Sequence, residues 1–289
     1  MHSIVKTAAF IATALLLNSA VSAQSDNTDS TGLPGDNFSL AAALDLFSKS
    51  NSIEEFEKKL NAENNDVNNL DLNGDGQIDY IRVIDKTEGD AHAFVLQALV
   101  SADESQDVAV IELEKNGASS ASVQIVGDED IYGQETVVEP ADNDKTSFYS
   151  DASEARVSGP AAIDNAIVVN VWFWPSVRFV YGPAYRPWVS PWRWAVYPGW
   201  WRPWHPVAFH VWHPRKAYYR PHYVIAPAPR MMAAHRVYRP TRVHSVTVTR
   251  RYSAPVGHYR STTTRKTTVV RGPQGRVRAT HTTRRARRH

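Results

Sequence analysis

The chain has no cysteine in 289 residues. That excludes disulfide staples, a thiol nucleophile and a lipid anchor through an N-terminal cysteine, and leaves folding to an apolar core or a bound ion. Acid is absent after Asp164: all 30 Asp and Glu lie at or before it, whereas residues 166–289 hold 23 Lys and Arg. From Gln24 to Asn165 the balance is −22, so the overall charge of +2 conceals two opposite poles. Such sorting marks either a tail that seeks an outside polyanion or two segments that screen each other, and both remain open at this level. Catalytic signatures are missing too. There is no Gly-x-Ser-x-Gly elbow, no phosphate-cradling glycine loop and no His-Glu-x-x-His, and carboxylates are so abundant that no pair stands out. The expectation is a non-enzymatic protein.

No apolar run approaches the ~20 residues of a spanning helix. The longest, Ala8 to Leu17, follows His2 and Lys6 and precedes the small-residue stretch Asn18 to Ala23, which is the three-part secretory pattern. Residues 1–23 are therefore expected to be a signal peptide, cleaved after Val21-Ser22-Ala23. The mature chain is then exported, to the periplasm, the outer membrane or the exterior, with no transmembrane segment.

Residues 37–133 read as one acidic α+β domain, large enough for a modest core. Ser39 to Phe47 suits a short helix. Ser52 with Glu55 forms a capping box before Phe56 and Leu60, which share a helical face. The next segment, Asp71-Leu72-Asn73-Gly74-Asp75-Gly76-Gln77-Ile78-Asp79-Tyr80, carries oxygen-bearing side chains at alternate positions, with Gly76 at the bend. Calcium takes six to eight oxygens, so Asp71, Asn73, Asp75, the Gln77 carbonyl and Asp79 can supply most of a shell, with water completing it. The other reading of the same residues is an Asn/Gly turn whose carboxylates hold no ion. Beyond the loop, Asp79 to Lys86, Ala91 to Val100, Asp107 to Leu113 and Ala121 to Val126 alternate and are broken by turn residues, which predicts an antiparallel meander after the helices.

The loop resembles the calcium loops of the EF-hand family, and more closely the shortened loops of integrin-type and dockerin-like repeats that run straight into a strand. The twelfth EF-hand position, a bidentate Glu in that family, is Arg82 here, so a helix-loop-helix sensor is not expected and a bound ion would be structural. From Ser52 through Tyr132 the text, including "NNLDLNGDGQIDYIRVI", "SQDVAVIELEK" and "VGDEDIYG", is similar to a widespread group of uncharacterised exported bacterial proteins. That resemblance brings no known activity.

Residues 134–165 read as an acidic linker. Residues 166–229 form a Trp/Pro/Arg-rich segment, with a possible hairpin from Ile167 to Trp174 and Val177 to Tyr181 and then extended, polyproline-like backbone. Indole faces stack on sugars, nucleobases or each other, while Arg grips phosphate bidentately. Arg186, Trp188, Trp192, Arg193, Trp194, Trp200, Trp201, Arg202 and Trp204 are thus candidate contacts to anionic envelope components: lipopolysaccharide, peptidoglycan or the membrane surface. The competing reading has the rings cover the meander. Residues 230–289, ending in Arg284-Arg285-Ala286-Arg287-Arg288, are too poor in large apolar residues to fold alone and predict a disordered cationic tail. Such a tail can bind polyanions, nucleic acid included, or pair with the acidic half within or between chains.

Overall fold

The computed structural model describes residues 30–141, 168–271 and 277–286, with side chains through Ser261 apart from Arg220. The predicted signal peptide and Arg287 and Arg288 lie outside the described residues.

Two helices open the described chain. In α1 (Leu40–Ser48) the Ser39 side chain accepts the Ala42 N–H. In α2 (Ile53–Leu60) the Ser52 side chain accepts the Glu55 N–H at 3.0 Å, while Glu55 turns back to the Asn51 N–H at 2.9 Å. Strands β1 (Ile81–Glu88), β2 (Ala91–Leu99), β3 (Ser105–Gly117) and β4 (Ser120–Gly127) then pair antiparallel in sequence order. The α+β meander follows the alternation of the sequence.

Alternation also gives the sheet two different faces. One carries Ile81, Val83, Phe94, Leu96, Ile111, Val123 and Ile125 and packs on α1 and α2, with Phe47 against Phe56 and Phe94 at 5.5 and 5.3 Å between ring centroids. The other carries Ala93, Val95, Val110 and Val126, but interleaves them with Asp107, Glu112, Gln124 and Glu139, all buried.

The second half of the chain builds on both faces and both edges. After the one-turn helix α3 (Glu129–Tyr132), strand β5 (Thr136–Pro140) pairs with β4, so the first residues of the expected linker belong to the sheet. Residues 142–167 lie outside the described residues. No hairpin forms over the described residues 168–181; instead α4 (Pro175–Val180) starts on Pro175. Proline's fixed φ suits the first helical position, and Val177 and Val180, three apart, bury on the core. Proline does not forbid α5 (Phe209–Lys216) either, a two-turn helix that contains Pro214 and anchors through buried Trp212, whose Nε1 donates to the Asp36 carbonyl at 3.0 Å. Strand β6 (Tyr223–Ala226) completes a six-stranded sheet beside β5.

The expected disorder of 230–289 is overturned for its first half. Helix α6 (Met232–Tyr238) lies on the acidic face, burying Ala234 and Tyr238, four residues apart. Helix α7 (Val246–Thr262) buries Val248 and Val256. The segment does not fold alone; it folds because the sheet offers carboxylates and small apolar residues. Arg230 pairs with Glu139, His235 Nδ1 meets Glu112 at 2.7 Å, the Ala233 and Ala234 amides donate to Glu114, and Tyr238 donates to Asp107. Arg242 reaches Asp128 and Asp130, each at 2.5 Å. The two charge poles therefore pair within one chain. Farther on, β7 (Thr263–Arg271) and β8 (Val277–Ala286) form a separate two-stranded ribbon.

Burial pushes the Asp128 carboxyl up to about 6, against the pull of Arg242. A carboxyl raised in the folded state holds its proton longer than in the unfolded chain, so its contribution is lost as pH rises through that value. Arg242→Ala is expected to cost about 3 kcal/mol at pH 7 and clearly less at pH 5, where Asp128 is protonated. Urea melts of the two proteins across that range check this.

Candidate functional site

The Asp71–Tyr80 loop sits between α2 and β1, and its local conformation follows from its own side chains. Asp71 accepts the amides of Gly74 and Gly76 at 2.6 and 2.9 Å. Asn73 accepts that of Asp75 at 3.0 Å, and Asp75 that of Gln77 at 2.8 Å. Gly74 and Gly76 take φ of 72 and 82°, a region that a side chain disfavours. Asp79 points inward, 4% exposed, and accepts the Leu72 amide at 2.6 Å. Burial, with the like charges of Asp71 and Asp75, pushes its carboxyl up to about 8. The five sequence-predicted ligands thus lie in one loop, but its carboxylates bond to its own amides, and no cluster of three or more His, Asp or Glu is poised around a metal position among the described residues.

The Trp/Pro-rich segment lies over this loop and along the β1 edge. The Asp85 N–H donates to the Trp188 carbonyl at 2.7 Å and the Ser190 N–H to the Val83 carbonyl at 3.0 Å, so Val189 bridges Ile84 as an added edge pairing. The Ile78 N–H donates to the Trp204 carbonyl, and His205 Nδ1 lies 2.7 Å from the Gly76 carbonyl. Tyr185 donates to Asp85, which also meets His92.

Glu57 fastens the arrangement. It is 2% exposed; one oxygen accepts the Tyr80 and Ser190 hydroxyls at 2.8 and 2.7 Å, and the other accepts the Val83 N–H and the Trp188 indole, both at 3.0 Å. Burial outweighs these four donors and holds the carboxyl above its ordinary value. One side chain thus ties α2, β1 and the aromatic segment together. Sequence reasoning passed over it, although the signal was present: Ile53, Phe56, Glu57 and Leu60 share the buried stripe of α2.

Most of the candidate aromatic contacts are turned onto the core. Trp201 is buried, Trp188, Trp192, Trp194 and Trp204 are half-buried, and Trp200 is exposed beneath Lys58, whose Nζ lies 5.7 Å from its ring. Arg186, Arg193 and Arg202, by contrast, project outward. Their guanidiniums meet no carboxylate among the described residues; Arg186 and Arg202 donate only to neighbouring backbone carbonyls. Arg284 and Arg285 lie in β8, where Arg284 pairs in register with Arg265.

Between loop and aromatic segment lies a cavity of about 190 Å3, walled by Asn73, Asp75 and Asp79 on one side and by Trp194, Tyr197 and Trp201 on the other. Trp194 and Ala195 form the tip of a tight turn closed by reciprocal hydrogen bonds between Arg193 and Val196, at 3.2 and 2.9 Å. Ala195 has φ of 58°, where glycine is usual and another residue costs about 1–2 kcal/mol. The buried Trp201 Nε1 has no hydrogen-bond partner among the described residues.

No protein-family model, curated protein or solved structure matches the chain. Among the described residues no helix is long and apolar enough to cross a membrane.

Glu57→Ala would leave buried donors unpaired and is expected to destabilise the fold by roughly 3 kcal/mol. The amides of Asp85 and Ser190 should then exchange with solvent well ahead of those in β2 and β3, as hydrogen-exchange mass spectrometry would read.

Proposed function

We propose that the protein is a non-enzymatic, exported cell-envelope binding protein. A calcium-stabilised acidic domain carries a cationic aromatic segment that contacts anionic envelope components. The observation that supports this most directly is the division of labour at residues 186–202. The tryptophans there other than Trp200 are buried or half-buried by packing, whereas Arg186, Arg193 and Arg202 remain exposed and without carboxylate partners among the described residues. Elsewhere Arg230 and Arg242, on the segment over the acidic face, are neutralised by Glu139 and by Asp128 and Asp130. Guanidiniums left out of that pairing are suited to phosphate or carboxylate groups, which they grip bidentately.

Calcium fits the loop by donor chemistry. Asp71, Asn73, Asp75, Asp79 and the Gln77 carbonyl are hard oxygen donors, and Asp79 is buried beside the like charges of Asp71 and Asp75. A bound divalent cation would relieve that repulsion. Asp71 and Asp79 would hold it, while the Leu72 and Gly76 amides keep their side chains oriented. Calcium is accordingly expected to raise the melting temperature and chelator to reverse the rise, with Asp71→Ala abolishing the difference. A melting curve indifferent to both would make the loop a plain turn.

A second reading, a polyanion or nucleic-acid binder acting through its Arg-rich tail, draws on the β7–β8 ribbon. Its register sets Arg265 opposite Arg284 and Thr264 opposite Arg285, and a segment so rich in arginine is suited to polyanions through counterion release.

Vesicle flotation separates the two. With phosphatidylglycerol vesicles, the combined Arg186→Gln, Arg193→Gln and Arg202→Gln protein should bind about a hundredfold more weakly, since each basic residue at such a surface contributes ~1 kcal/mol. Phosphatidylcholine vesicles should retain neither protein. Unchanged binding by the triple variant, with loss on truncation at Arg260, would favour the tail instead.

A further inference from the structure

We propose that the cavity between the acidic loop and the aromatic turn is a subsite for a single pyranose ring of a phosphate-bearing glycan, with Arg193 and Arg202 at its rim taking the phosphate. The inference rests on the assignment of those arginines to an anion-facing surface and names the ligand class they would serve.

The two walls have complementary chemistry. A pyranose presents an apolar C–H face and a rim of hydroxyls. An indole or phenol ring offers a flat, electron-rich surface to the first, and carboxylate and carboxamide oxygens accept from the second. Trp194 and Tyr197, both half-buried, are paired here across about 190 Å3 with Asn73, Asp75 and Asp79. A cavity of about 150 Å3 admits a benzene ring, so this volume has room for one six-membered ring. No Lys or Arg among the described residues lines it, so the interior does not suit the phosphate itself. Its chain neighbours differ: Arg193 directly precedes the wall residue Trp194, and Arg202 lies between the wall residues Trp201 and Pro203, though neither lines the cavity itself. Both are exposed and free of carboxylate partners among the described residues. A ligand with a neutral ring and an acidic substituent matches this polarity, whereas a bare anion matches only the rim.

One local feature points the same way. Ala195 holds a left-handed conformation at the turn that carries Trp194 to the cavity wall, and such backbone persists where surrounding structure over-determines it, most often at binding sites. Polar groups converging on an otherwise aromatic cavity are the ordinary makeup of a small-molecule site.

The test titrates the full chain, in calcium-containing buffer, with three probes read by tryptophan fluorescence and calorimetry: phosphorylated oligomannose, the same oligomannose without phosphate, and inorganic phosphate. The phosphorylated sugar should bind tightest. Trp194→Ala should weaken it about tenfold, whereas Trp194→Phe, which keeps a ring, should restore most of the affinity. Arg193→Gln with Arg202→Gln should lower affinity for the phosphorylated sugar to that of the neutral one. If Trp194→Ala leaves the phosphorylated sugar unaffected while the arginine variant abolishes its binding, the arginines bind anions and the cavity is not a sugar subsite. If neither variant alters binding, both assignments fall.

Discussion

Burial of the acidic sheet face beneath a basic helix is the constraint on which the rest of this structure depends. Asp107, Glu112 and Glu139 are each less than 5% exposed, and carboxylates removed from water are costly unless paired or hydrogen-bonded. Arg230, His235, Tyr238 and the first amides of α6 meet them, and Arg242 does the same for Asp128 at the end of β4. Glu112 and His235 show the balance in one pair: burial pushes the carboxyl up, while the hydrogen bond to it pushes the imidazole up. The extreme sorting of charge along the chain is largely internal complementarity, and only the remainder faces outward.

The aromatic segment answers a different requirement. The β1 edge would present unpaired amides and carbonyls, a template for association with other strands. Residues 188–190 cap it through Trp188 and Ser190, and Glu57 secures the cap from beneath. Because the rings are fastened from the inside, the intervening arginines have no inward partner to take. A covered loop, a walled cavity and an outward row of guanidiniums thus arise from one piece of chain crossing one sheet edge. The proposed binding surface and the stabilising cap share residues, so they cannot vary independently.

Elements set by short-range pattern were legible beforehand. The Ser39 and Ser52 caps, the four alternating strands and the glycine bend of the 71–80 loop each follow from residues close in sequence, whose preferences need no distant partner. Segments that depend on such partners were not legible. Pro175 reads as a strand break until Val177 and Val180 find the core. The run from Arg230 to Ser261 reads as disordered because its few apolar residues suffice only against a surface already built. Glu57 reads as one more exposed acid, though its place on the apolar stripe of α2 marks it as buried.

By itself, the amino-acid sequence determined the α+β class, the strand order of the meander, the turn at Gly74 and Gly76, and the existence of two opposite charge poles. These depend on local backbone preference, side-chain periodicity and composition. Tertiary structure alone decided that the poles meet within one chain, that most of the tryptophans face inward while Arg186, Arg193 and Arg202 face outward, and that the acidic loop and the Trp194 turn flank an open cavity. Those outcomes depend on contacts between residues more than a hundred positions apart, such as Glu57 with Trp188 and Asp107 with Tyr238, and no local preference specifies which distant side chain will arrive.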